Sequence, residues 1–162
     1  MKPGSGEWRA PILFYLVLGL IVVSGTTGVV RSAFLYIEGA TPVLESLGDL
    51  SIHRTYLAAR AEAYRNNQIL VIVFTAPWSE PCRAFEQSML ENPELHTYLR
   101  KVVILRIMDT DPAYRDFSRR ADFAALRQGL PFVAVLDSRG NIRLATHDWK
   151  SPALIIRALE TR

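Results

Sequence analysis

From Pro11 to Val30 the chain reads PILFYLVLGLIVVSGTTGVV, twenty residues without a charge. Wound as a helix at about 1.5 Å per residue, that run matches the roughly 30 Å hydrocarbon core of a bilayer. It predicts one transmembrane helix, extended by Arg31 to Ile37 before the break at Gly39-Ala-Thr-Pro42. A cleaved secretory signal is the competing reading, because Lys2 and Arg9 precede the run and small residues such as Ser24, Gly25 and Thr26 lie toward its end. No A-x-A-like cleavage site follows, which favours an uncleaved anchor. Lys2, Arg9 and the amino terminus lie before the span and only Arg31 lies close after it, a bias that predicts the N-terminus inside. The remainder of the chain is then expected in the periplasm or another non-cytoplasmic compartment.

With 162 residues, 49% of them hydrophobic, the chain has length for one compact domain beyond the span. The net charge of +3 is small and scattered, so no nucleic-acid partner is expected. The pairs Arg119-Arg120 and Arg100-Lys101 read as solvated helix faces or ends. A single cysteine excludes an internal disulfide.

Periodicity then divides the chain into a cytoplasmic N-terminus (1–10), a transmembrane helix and its extension (11–37), a linker (38–53) and a folded domain (54–162). Within the linker, Thr41-Pro42 with Glu45 predicts a short amphipathic helical turn carrying Val43, Leu44 and Leu47 and closed by Gly48. Residues 54–66 space Tyr56, Leu57, Ala61 and Tyr64 as a helix. ILVIVF at 69–74 is a continuous apolar run, as expected of a strand buried on both faces. A tight turn, TAPWSEPC, leads into a helix over CRAFEQSML. Asn92-Pro93 opens another helix before the strand VVILRI at 102–107. Asp111-Pro112 starts a helix with Tyr114, Phe117, Ala121, Phe123 and Leu126 on its apolar faces, ended by Gly129-Leu130-Pro131. FVAVLD and NIRLAT form an antiparallel hairpin about Ser138-Arg139-Gly140, and Ser151-Pro152 begins the last helix. The order predicts an α/β fold, a mixed sheet flanked by helices on both faces.

The stretches FTAPWSEPCRAFEQSMLENPEL, VVILRI and GLPFVAVLDSRGN together resemble the thioredoxin superfamily. More narrowly, they resemble the C-terminal thioredoxin-like domain of the membrane thiol:disulfide interchange protein DsbD. The resemblance covers residues 54–162, and its most specific parts are the W-x-x-P-C turn and the G-L-P segment. It implies a turn of the form W-C-x-x-C in which the first cysteine, at a helix N-terminus, is the nucleophilic thiolate. Ser79 stands there in this chain. A serine hydroxyl ionises too weakly to replace a thiolate without a general base, and no histidine lies nearby in sequence. Cys82 matches the resolving cysteine, which cannot close an intramolecular disulfide alone. Many members carry a buried carboxylate six residues before the nucleophile, where Val73 stands here. Pro131 matches a proline held cis in the family, beside which the preceding backbone pairs with an extended peptide.

The resemblance with these departures predicts a redox-inactive thioredoxin-like domain acting as a binding or accessory subunit of a larger membrane complex, with respiratory and photosynthetic complexes as hosts of that kind. Its partners would be membrane proteins, and the bilayer through residues 11–30. The binding surface would comprise Trp78, Ser79, Pro81, Cys82, Leu130 and Pro131. The alternatives are a periplasmic thiol-disulfide oxidoreductase with Cys82 as its catalytic residue, and a cytochrome-maturation helper. Cys82 reads either as a small buried hydrophobe or as a reactive thiol. His53, His96 and His147 lack metal-ligand spacing and read as ordinary helix or loop residues. Asp109, Asp111 and Asp116 lack the calcium-loop pattern, and Asp111 before Pro112 reads as a helix cap. No metal or cofactor is expected.

Overall fold

A computed structural model describes residues 43–160. The residues expected to form the cytoplasmic tail, the transmembrane helix with its extension and the start of the linker lie outside the described residues. Among the described residues no helix is long and apolar enough to cross a membrane.

The chain centres on β3 (Leu70–Thr75), whose six residues are all buried. It pairs in parallel with β4 (Val103–Met108) and antiparallel with β5 (Phe132–Leu136). With β1 (Leu44–Leu47), β2 (Leu50–His53) and β6 (Ile142–Thr146) these strands form one mixed sheet in the order β1-β2-β4-β3-β5-β6. Strand side chains alternate between faces, so β3 divides its residues between two cores. Val71 and Val73 pack with Phe85, Met89, Leu95, Ile155 and Leu159. These come from α2 (Glu80–Glu91), α3 (Pro93–Leu99) and α5 (Pro152–Glu160). Leu70, Ile72 and Phe74 face α1 (Tyr56–Arg65), α4 (Pro112–Arg119) and the segment that follows it, against Ala59, Ala63, Phe117 and Phe123. The expected mixed sheet flanked by helices is the architecture observed.

Two elements differ from expectation. Residues 44–53, assigned above to a linker with a helical turn, form a hairpin whose second strand joins β4 in parallel. Gly48 and Asp49 make its two-residue turn, with Gly48 at φ +60°, a conformation glycine adopts without a Cβ penalty. Leu50 and Ile52 point into the core while the β1 residues alternate between exposed and half-buried, the pattern of a sheet edge.

The helix expected from Pro112 onward stops at Arg120, which is extended (φ −75°, ψ 141°), and the chain resumes as a 3-10 segment over Ala121–Gln128. Phe117 and Phe123 lie six residues apart, so a continuous helix would place them about 240° apart around its axis. The break lets both rings enter one core, 4.8 Å between centroids. The Arg120 guanidinium lies over Phe117 and Phe123 at 5.3 and 5.0 Å and bonds Asp122.

Phe74 joins these parts, with ring centroids 5.4 Å from Phe117, 5.9 Å from Phe123 and 5.8 Å from Phe132. Phe74→Ala is expected to destabilise the fold by about 3–5 kcal/mol. Equilibrium denaturation of the variant checks this; a loss below about 1 kcal/mol would mean that the ring cluster does not hold this face together.

Candidate functional site

The sheet topology gathers several chemically distinctive residues at one end. β3 and β4 run parallel and both finish there, with Thr75 opposite Met108. β5 begins there, since Phe132 pairs with Phe74, and β6 finishes there, since Thr146 pairs with Val133. The turn after Thr75, the Asp109 loop, Pro131 and His147 therefore share this end of the sheet.

The turn runs from Ala76 to Ser79 and feeds α2. Ser79 is the N-cap, with extended backbone, and its Oγ accepts from the Cys82 backbone N–H at 3.4 Å. Pro81 lies in the first turn, where a missing N–H costs nothing. The Ser79 hydroxyl thus caps the helix terminus, and the residue is buried. Cys82 is a free cysteine, 1% exposed.

Trp78 is the opposite case, 73% exposed. Its indole Nε1–H donates to Asp109 Oδ2 at 2.7 Å, which fixes the ring in an outward position. Asp109 Oδ1 is covered and has no hydrogen-bond partner. Burial, and then the nearby Asp109 carboxylate, push the Tyr114 phenol above its ordinary value. Arg83 Nη1 donates to the Pro77 carbonyl at 2.9 Å, tying the turn back to α2.

Leu130-Pro131 is a cis peptide bond. Pro131 is buried and Leu130 half-buried. The expected binding residues therefore divide in two: Trp78 and Pro81 are exposed, Leu130 is partly so, and Ser79, Cys82 and Pro131 sit beneath them.

Three features at this end were not read from the sequence. Asp109 serves as the indole's anchor. His147, taken as an ordinary loop residue, approaches the carbonyls of Ala125 and Pro131. Arg106 pairs in register with Val73 and is 9% exposed. Its Nη1 bonds Glu45 Oε1 at 2.8 Å and its Nη2 lies 3.4 Å from Glu86 Oε1, which also accepts from Thr75 Oγ1 at 3.4 Å. Arg54 adds a second cation to Glu45 at 3.2 Å. A lone arginine inside VVILRI was the available signal, since a buried cation requires counter-charges. Asp111 is also placed differently from expectation. It stands at the N-cap of α4 but makes no side-chain cap bond there; its Oδ2 accepts from the Met108 N–H at 2.8 Å instead.

Among the described residues no group of three or more His, Cys, Asp or Glu is arranged to hold a metal ion. His53 Nε2 lies 3.1 Å from Glu62 and His96 Nε2 lies 2.7 Å from Asp49, in separate places. The His96 hydrogen bond holds the Asp49 carboxyl below its ordinary value.

Fold, cis-proline turn and capped helix together define the class. The chain belongs to the thioredoxin-like family, whose model matches residues 51–138. A thioredoxin from Thermus thermophilus is similar over 65% of this chain and 82% of its own, at 16% identity and a TM-score of 0.53. A disulphide isomerase from Xylella fastidiosa Temecula1 is 23% identical over 64% of this chain and 76% of its own, with a TM-score of 0.46. These likenesses concern the fold. No curated protein matches the chain in sequence.

Two expectations follow. Thiol labelling of Cys82 is expected to be slow in the native protein and fast in denaturant, because 1% exposure denies a reagent access to the sulfur; native labelling at the denatured rate would refute the burial. Arg106→Ala, leaving Glu86 and Glu45 without their shared cation, is expected to cost about 1–3 kcal/mol, below a fully buried pair because Glu45 is partly solvated. Denaturant midpoints measure it, and an unchanged midpoint would show the network to be energetically idle.

Proposed function

We propose that the chain is a membrane-anchored relative of the DsbD C-terminal domain in which Ser79 stands for the nucleophilic cysteine. In this reading the domain binds a partner without exchanging disulfides and serves as an accessory subunit of a larger membrane complex of respiratory or photosynthetic type. Residues 11–30 are the anchor, and the domain lies on the non-cytoplasmic side. The observation that carries the reading is the Ser79 hydroxyl accepting the Cys82 N–H at the helix N-cap, above a buried lone thiol. Disulfide exchange needs an exposed thiolate to attack and a second sulfur to resolve. Ser79 offers neither sulfur nor a neighbouring base, and Cys82 is covered.

What supports binding is the surface kept around that spent centre. The Trp78 indole is held outward by Asp109, and Leu130 precedes a cis proline. An indole exposed to 73% is a large apolar area for a monomer to leave in water and is typical of an interface anchor. An extended segment from a partner would lie across Trp78 and Pro81 and pair with the backbone at Leu130.

The test joins two measurements on the full chain. Purified in mild detergent from its native membrane, the wild type is expected to bring down a fixed set of membrane proteins, and Trp78→Ala to lose most of that set. In a dithiol-driven disulfide-reduction assay the wild type is expected to be inactive. Ser79→Cys restores a sulfur pair able to deliver two electrons and two protons to a substrate disulfide while closing its own, so this variant is expected to turn over. Wild-type turnover that disappears in Cys82→Ala would replace this reading with the oxidoreductase one.

A further inference from the structure

His147 follows β6 and lies beside the first residue of β5, its ring 4.8 Å from Phe132 at an interplanar angle of 61°. Both of its nitrogens face backbone oxygens. Nε2 is 2.7 Å from the Ala125 carbonyl, in the 3-10 segment, and Nδ1 is 3.3 Å from the Pro131 carbonyl. Carbonyl oxygens only accept, and a neutral imidazole carries one N–H. The shorter contact takes that proton on Nε2. Nδ1 then turns a lone pair toward Pro131, acceptor against acceptor. Only the imidazolium, with a proton on each nitrogen, makes both contacts attractive. The Ala125 bond is therefore kept in both protonation states, whereas the Pro131 contact changes sign between them.

The segment so gripped is the one that carries the binding surface. Ala121–Gln128 runs directly into Gly129, Leu130 and the cis Pro131. The charged groups on the elements around the imidazole are committed elsewhere or turned to solvent. On the 3-10 segment Asp122 bonds Arg120, and Arg127 donates to the Ser118 carbonyl. Arg143 on β6, Asp148 and Arg157 on α5 are exposed, and β5 contributes no charge. The two carbonyls and the Phe132 ring are thus the groups that the contacts place against the imidazole.

We propose that His147 is a proton-dependent clamp on the cis-proline segment: as imidazolium it ties the Pro131 carbonyl to the 121–128 segment, and on losing its Nδ1 proton it releases that carbonyl, so partner binding at Leu130 strengthens as pH falls. The coupling to a partner rests on the function proposed above; the clamp itself does not.

The experiment is amide hydrogen exchange over residues 121–131 of the full chain in detergent, between about pH 5 and pH 8, corrected for the intrinsic rate, in wild type and His147→Gln. Glutamine keeps an amide donor and does not titrate. Wild-type protection is expected to fall by about tenfold or more as pH rises, tenfold being the lower edge for one hydrogen bond from a charged donor, while His147→Gln stays flat. Wild-type protection that is flat with pH, or an equal slope in the variant, would overturn the clamp. Ring 15N shifts of wild-type His147 give a second reading that needs no variant: Nδ1 protonation is expected to track the protection, and the absence of such tracking counts against the proposal. Partner capture across the same pH range separates the two ideas. Capture at no pH removes the proposed function and leaves the exchange result to judge the clamp; pH-independent capture alongside pH-dependent exchange overturns the coupling alone.

Discussion

The pairing of β3 with a strand on each side is the constraint from which the rest of the domain follows. Six successive residues without solvent access must place every backbone N–H and C=O in a ladder, because an unpaired buried amide costs on the order of 1–3 kcal/mol. β4 provides those partners from Leu70 to Thr75 and β5 from Leu70 to Phe74. Its side chains must in turn be covered on both faces. Val71 and Val73 require α2, α3 and α5; Leu70, Ile72 and Phe74 require α1, α4 and the 3-10 segment. Because β3 ends where β5 starts, the same pairing sets the Trp78 turn beside the cis-proline segment. Site geometry is in this sense a by-product of the central ladder.

Much of this was legible because long apolar runs and Pro-marked helix starts are local signals. ILVIVF cannot be an exposed edge, and Pro93, Pro112 and Pro152 each open a helix where a missing N–H is harmless. The hairpin at 44–53 was obscured for a physical reason. LESL and LSIH are four residues each, too short for alternation to outweigh a helical spacing of Val43, Leu44 and Leu47. The Gly48-Asp49 pair was the better signal, and it is a turn because only glycine holds φ +60° there at no cost. A Cβ at Gly48 would also meet Leu90 Cδ2 at 2.9 Å. The break at Arg120 was less accessible still, since it answers to where Phe117 and Phe123 must both go, and that is decided by the tertiary core.

The site was legible by type and illegible by contact. Trp78, Ser79, Cys82 and Pro131 are marked by a pattern in which each residue has a place relative to a turn. Asp109 and His147 have no such pattern. They matter because parallel and antiparallel strands bring residues separated by 31 and 16 positions to one end of a sheet, where Asp109 meets Trp78 and His147 meets Pro131. One residue fixes an exposed ring and the other lies against a backbone carbonyl, so each half of the candidate surface has one polar side chain reaching it from a distant part of the chain.

Arg106 adds a step about how the interior is charged. It lies in register beside Val73, so the sheet keeps a cation next to an apolar strand position. Burying an unpaired guanidinium would cost far more than the fold could absorb. The counter-charge comes instead from Glu86, one helical turn beyond Cys82, and from Glu45 on the hairpin. The network therefore ties the edge hairpin to the helix that begins at Ser79, with Thr75 completing the link to the turn through Glu86. Both carboxylates are held by Arg106. The charge arrangement thus joins the capped Ser79 and the covered Cys82 in one fixed end of the sheet.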